Sequence, residues 1–288
     1  MLFWCSLTVP VQATSFTFLE NSFSTDELAR SGGGGAISVT VLSNNPAAIE
    51  ARQNRFSLHH LQYPAQIQGQ QICAVIPRES FVWSGSARIL DYGKLRDFNT
   101  ERTFSARDIY IQIGLKSTAW ELISWGVSGG FIRSKIDGSE AEAWLMSSGI
   151  RFHFLDQHAA VGISLEHLGQ QTGTYAGYRE KLPRTLRTSL VYIPEHLPAR
   201  LSLDLVDRVD QDAELIGVFD LALQDHLNII ISTSTLKSDL EYGTWDEKIL
   251  AGLAGGVRFN WDKWTLMLAT QSLGPAGMVT AASITFTQ

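Results

Sequence analysis

Residues 144–154 read Trp144-Leu145-Met146-Ser147-Ser148-Gly149-Ile150-Arg151-Phe152-His153-Phe154. Trp144, Met146, Ile150, Phe152 and Phe154 share one parity, and Ser147, Gly149, Arg151 and His153 share the other. A period of two marks an extended strand whose side chains alternate between faces, here one apolar and one polar. The period returns at Ala159, Val161, Ile163 and Leu165 against His158, Gly162, Ser164 and Glu166. It returns again at Leu201, Leu203 and Leu205 against Arg200, Ser202 and Asp204. Many such strands with turn signals between them need a closed or stacked sheet to hide their edges.

Reading outward, the pattern predicts strands at Arg55–Gln62, Ile67–Ile76, Phe81–Leu90, Phe104–Leu115, Glu121–Arg133, Ala143–Phe154 and Ala159–Leu168. Others follow at Arg184–Tyr192, Ala199–Val206, Glu214–Gln224, Leu227–Leu236, Leu250–Asn260, Lys263–Gln271 and Met278–Phe286. That is about 14 strands, near the ten-residue length of outer-membrane barrel strands. One face carries Trp, Phe, Ile and Leu, and the other Gly, Ser, Thr, Ala and Arg, as a wall between lipid and a lumen requires. A soluble sandwich also alternates, but its apolar face must pack on a second sheet. Gly85, Gly114, Gly126, Gly149, Gly162 and Gly252 read as places where a closed sheet bends. Trp120, Trp125, Trp144, Trp245, Trp261 and Trp264 fall toward strand ends, as interfacial girdles do.

The 288 residues are 44% hydrophobic and 18% charged, the balance of a folded chain. A net charge of -6 and scattered Lys and Arg give no footprint for nucleic acid. Cys5 and Cys73 form neither a disulfide framework nor a zinc cluster. Met1 to Ala13 resembles the end of a secretory signal peptide cleaved at Ala13–Thr14, although the basic n-region is missing. Beyond it, no apolar run approaches the roughly 18 residues of a transmembrane helix, so any membrane span is a barrel.

Catalytic patterns lack their context. Ser234-Thr235-Leu236-Lys237 matches S-x-x-K, but that chemistry needs a helix start, and here the motif follows the strand Asn228–Ile231 with no Lys-Thr-Gly partner. His59 and His60 are strand neighbours that cannot share a metal, and His153, His158 and His167 have no convergent Cys or carboxylate. Asp204, Asp207, Asp210, Asp212 and Glu214 lack the glycine-containing calcium loop and read as a solvated turn. Glycines 32–35 lack the Lys-Ser/Thr of a phosphate loop. The expectation is therefore no catalytic residue, cofactor or metal.

Residues 14–53 differ from the rest. Thr25-Asp26-Glu27 can start a helical turn, Ser31–Gly35 is glycine-rich, and Asn44-Asn45-Pro46 caps a predicted short helix Ala47–Arg52. The order Leu28-Ala29-Arg30 with the glycine run, then Asn44-Asn45-Pro46-Ala47-Ala48-Ile49, then strands, resembles the PorV/PorQ group of outer-membrane barrels. Tyr92-Gly93, Thr103–Asp108 and Leu182-Pro183 followed by Leu186–Pro194 are similar to its PorQ branch. The glycine run is longer than that group's, and the loop Arg96–Glu101 departs from it.

The resemblance implies an all-β, FadL-like transmembrane antiparallel barrel of about 14 strands in the cell outer membrane, with a short N-terminal helical plug. It divides the chain into a leader (1–13), a lumenal segment (14–53) and the barrel (54–288), with Gly33, Gly35, Asn45 and Pro46 as plug residues. A compact irregular segment is tolerated there because it is buried in protein; the competing reading of the glycine run is a surface linker. The implied role is non-enzymatic, anchoring or shuttling type IX secretion proteins at the loops or the periplasmic side, with outer-membrane lipid around the wall. The alternative is a FadL-like transporter of hydrophobic small molecules, which calls for a continuous apolar cavity and a lateral gap.

Overall fold

A computed structural model describes residues 16–39, 41–42, 44–96, 101–119, 122–154, 156–175, 181–209, 211–235 and 251–288. The leader expectation (1–13), Trp120, Trp245, Asp210 and Lys237 lie outside the described residues.

The strands are β1 (Arg55–Gln62), β2 (Gln68–Arg78), β3 (Phe81–Arg96), β4 (Thr103–Ala119), β5 (Ile123–Ile136), β6 (Ser139–Phe154) and β7 (Ala159–Gly173). They continue as β8 (Thr185–Tyr192), β9 (Ala199–Arg208), β10 (Glu214–Gln224), β11 (Leu227–Ser234), β12 (Leu253–Trp261), β13 (Trp264–Ser272) and β14 (Met278–Thr287). Each pairs antiparallel with its sequence neighbours, and β1 closes on β14 from Arg55↔Thr287 to Gln62↔Thr280. The 14 strands form a closed barrel with no free edge. β1 and β10 begin and end where the periodicity placed them, whereas β3 to β6 run further. Their extensions carry exposed ion pairs, Arg107–Asp91 at 2.5 Å and Lys135–Glu140 at 3.6 Å. An outward residue above the lipid need not be apolar, so the hydrophobic pattern stops before the strand does.

The faces are inverted relative to a water-soluble protein. Ile113 is 65% exposed, Trp144 61% and Leu268 66%, while Ser84, Ser128, Ser147, Gln112 and Arg187 are buried. Such an arrangement is stable only where the outer solvent is hydrocarbon. Among the described residues no second sheet covers the apolar face, and the closed barrel replaces the sandwich reading. Phe56, Trp83, Trp125, Phe154, Trp261 and Trp264 lie toward the β1-start and β14-end rim as a girdle. Trp144 is the exception, standing mid-strand against Phe131 at 5.0 Å.

The two rims differ. The one holding the start of β1 and the end of β14 has the short connections 79–80, 225–226 and 262–263, and the other has the longer stretches 174–184 and 235–252. Short turns face the periplasm in outer-membrane barrels and long connections face outward. Inside the wall runs the chain from Phe16 onward, with a 3-10 turn at Thr17–Glu20, helix α1 (Thr25–Ala29) and a second 3-10 turn at Pro46–Ala48. The helix expected over Ala47–Arg52 is thus only this turn. Ile49 goes extended (φ -63, ψ 128), forms a parallel bridge with Val39, and is buried with Leu42 and Val75. Packing of a β-branched side chain overrides weak helical preference there.

Candidate functional site

The described residues between 16 and 52 occupy the lumen, and the wall holds them in two ways. On one side, β4 to β7 present Gly114, Gly126, Gly149 and Gly162 inward. A Cβ on Gly126 would lie 2.4 Å from the carbonyl carbon of Pro46, and one on Gly149 would lie 2.0 Å from Asn45 Oδ1. These glycines form a bay for Asn45-Pro46-Ala47, so the reason for them is close approach of the segment rather than bending of the wall. In the bay, Asn45 Oδ1 accepts from Ala47 N at 2.9 Å, and Asn45 Nδ2 donates to Gly35 O at 2.9 Å. One side chain thus caps the turn and ties it to the glycine run. Gly252 stands outside the strands, at φ 71.

On the other side, β8 to β12 present charge. Asp204, fully buried, accepts from Gly34 N at 2.8 Å and Gly35 N at 2.9 Å, with Ser202 Oγ at 2.9 Å and Ser189 Oγ also donating. A carboxylate taking several N–H and O–H bonds is satisfied inside a protein. Gly35 fits because a Cβ there would meet Ser189 Oγ at 2.5 Å; one on Gly33 would meet Ile216 at 2.8 Å. Arg187 bridges Glu166 (3.0 Å) and the carbonyl of Gly32 (2.9 Å). Asp220 lies 3.3 Å from Arg30 and 2.8 Å from Arg200, and Asp26 lies 2.5 Å from Arg258. Burial by itself would raise the Asp26 carboxyl, but the charges of Arg258 and Arg30 outweigh it and hold the group below the usual carboxylate range.

Helix α1 is set by a capping box: Glu27 N donates to Ser24 Oγ at 3.1 Å, and Ser24 N to Glu27 Oε2 at 3.2 Å. It ends where Ser31 (φ 52) and Gly32 (φ 77) turn left-handed and Gly32 N returns to Glu27 O at 2.8 Å. Toward the long-connection rim, Phe16, Phe18, Leu19 and Phe23 pack on Leu90, Tyr110, Ile132, Leu145 and Leu182. The space left in the lumen includes two cavities, one of about 220 Å³ with mixed lining, beside Glu20, Glu166, Glu214, Leu19 and Leu273, and a more polar one of about 270 Å³ beside Arg55, Arg200 and Arg258. Two apolar grooves lie outside, one between Trp83 and Trp144 and one between Phe56 and Trp264, both facing the lipid.

The candidate chemical groups do not converge. His59 points inward and accepts from Thr25 N at 3.2 Å, whereas His60 is exposed on the opposite face. Ser234 donates to Glu214. Among the described residues no three His, Cys, Asp or Glu are grouped to hold a metal ion. The acidic run is not one solvated loop: Asp204 belongs to β9 and Glu214 to β10, both buried, while Asp207 and Asp212 are exposed. Strand parity separates them. Asp204 and Asp220 are the functional residues that spacing alone missed, although each lies on the lumen parity among outward leucines, which is a readable signal.

No protein-family model and no curated protein matches the sequence. Solved structures do. The Ralstonia pickettii toluene transporter TbuX superposes with a TM-score of 0.64 at 11% identity, over 94% of this chain and 99% of that one. The P. putida toluene transporter TodX gives 0.60 at 10%, over 94% and 99%, and a Pseudomonas aeruginosa FadL homologue 0.57 at 11%, over 93% and 98%. The fold is that of the FadL-type outer-membrane barrels. The closed barrel resides in the outer membrane, where its exposed apolar belt meets lipid.

Proposed function

We propose that this FadL-type barrel works with its lumen shut, as a non-enzymatic outer-membrane platform for a protein partner, within a secretion machinery of the type IX kind that the N-terminal motifs resemble. The observation that carries this reading is the plug: bonds from Asp204, Arg187 and Asp220 on the wall hold Arg30, Gly32, Gly34 and Gly35 inside the lumen, and Asn45 ties its turn to Gly35. The cavity beside Arg55, Arg200 and Arg258 is mainly polar, the one beside Glu20, Glu166 and Glu214 is lined by polar and apolar groups alike, and among the described residues neighbouring strands pair around the whole wall.

A second reading, a passage for hydrophobic small molecules, draws on different observations. The neighbours named as toluene transporters favour it more directly than they favour secretion. So does the apolar patch under Phe16, Phe18 and Phe23, next to the irregularity of β3 at Tyr92-Gly93. Passage would require those phenylalanines to withdraw. Deleting the gene and measuring both the surface and secreted proteome and the uptake of labelled toluene separates the two. Loss of a set of surface proteins with unchanged uptake is the expected result; intact secretion with reduced uptake would replace the first reading by the second.

A further inference from the structure

The cavity at the periplasmic rim stands out in the lumen for the number of arginines around it. Arg30, Arg55, Arg200 and Arg258 line it, with Asp26. Asp220, behind them, is shared by Arg30, Arg200 and, at 4.0 Å, Arg258. Arg55 has no ion-pair partner among the described residues, and the neighbouring Glu50 already faces Arg151 at 4.0 Å. Four guanidinium groups therefore face two carboxylates, and Glu50 with Arg151 at the edge leaves that imbalance unchanged.

The unmet bonds point the same way. Thr25 N donates to His59 Nδ1, which fixes that nitrogen as the acceptor and puts the imidazole proton on Nε2. His59 is one of the lining residues and is 3% exposed; its Nε2 and the Nε of Arg30 and Arg55 are buried without a partner, as are the Nε of Arg88 and Arg151 elsewhere in the lumen. The excess of positive charge around the cavity, beside donors that lack an acceptor, calls for a group that only accepts and is negative. Water could take the hydrogen bonds but would leave the charge uncompensated.

We propose that this chamber is an oxoanion site that takes a small carboxylate- or phosphate-bearing solute from the periplasm. Its volume, about 270 Å³, holds such a group with a few waters, at roughly 30 Å³ per water. Asn228, Asn260, Ser283 and Thr285 supply neutral polar lining around the arginines. The site stands apart from the platform and passage readings, since it lies between the plug and β1, β9 and β11 to β14 and needs neither to be true.

The test uses the full-length barrel in detergent, titrated calorimetrically with inorganic phosphate and separately with succinate, against chloride at constant ionic strength. One saturable site for at least one oxoanion is expected, and the two arms tell which. Arg55→Gln should weaken it at least tenfold, whereas Arg133→Gln, on the exposed outer surface, should leave it unchanged. Heat-modifiable migration on a gel confirms that each variant is folded. Heats that match chloride for both oxoanions in the unmodified protein, or equal affinity in folded Arg55→Gln, would overturn the proposal.

Discussion

The two walls of the lumen grip the same segment by opposite means. The β4–β7 wall removes side chains: Gly126 and Gly149 let the backbone of Pro46 and the amide of Asn45 approach to distances no Cβ permits. The β8–β12 wall adds charge: Asp204, Asp220, Arg187 and Arg258 meet the amides of Gly34 and Gly35, the carbonyl of Gly32, and Arg30 and Asp26, with Arg200 paired to Asp220 behind them. Steric fit has no tolerance for added volume but is indifferent to salt and pH. Charge-assisted bonding tolerates small shifts but fails when one partner is removed, because the other is left buried and unpaired. One plug thus has a rigid seat and an electrostatic latch.

The comparison breaks most severely at Gly126→Val. Its branched side chain would have to occupy the position of the Pro46 backbone, so the segment should leave the bay at a cost of more than about 4 kcal/mol, the range of the most damaging single substitutions. Limited trypsin digestion would report this as cleavage after the normally buried Arg30; continued protection would mean the bay is not the seat. On the opposite wall, Asp204→Ala strands the N–H groups of Gly34 and Gly35 and should cost about 4 kcal/mol, at about 1–3 kcal/mol per unsatisfied buried group. The thermal midpoint for loss of heat-modifiable migration measures it, and a midpoint within a degree of the parent would remove Asp204 as the latch.

A change on the lipid face sharpens the comparison by sparing both walls of the lumen. Ile113→Arg should destabilise the barrel in bilayers by about 2–4 kcal/mol while trypsin protection of the plug stays as in the parent. Equal stability would mean that position does not face hydrocarbon. The smallest effect is expected from acid. Because Asp26 is held below the usual carboxylate range, its contribution is complete above the unfolded value of 3.8 and fades only as pH falls through the lowered folded value. For the Asp26 contribution, thermal midpoints compared between the parent and Asp26→Asn should keep the same separation from pH 7 to pH 5. A separation that shrinks over that interval would contradict the ion pairs of Asp26 with Arg258 and Arg30.

Trp144–Phe154 and its counterparts by themselves determined that the wall is a sheet of about 14 alternating strands, which face is apolar, and that Asn45-Pro46 starts a turn. These features are local: a period of two and a capping side chain are written within a few residues of one another. Closure of β1 on β14, the girdle at one rim, the shortened helix after Ala48, and the purpose of Gly126 and Gly149 were decided only by tertiary structure. So was the partner of Asp204, although strand parity alone sets Asp204 inward and Asp207 outward. Asp204 and Gly35 lie 169 positions apart in the chain, and what brings them together is the filling of a closed lumen. No periodicity within either segment encodes that distance.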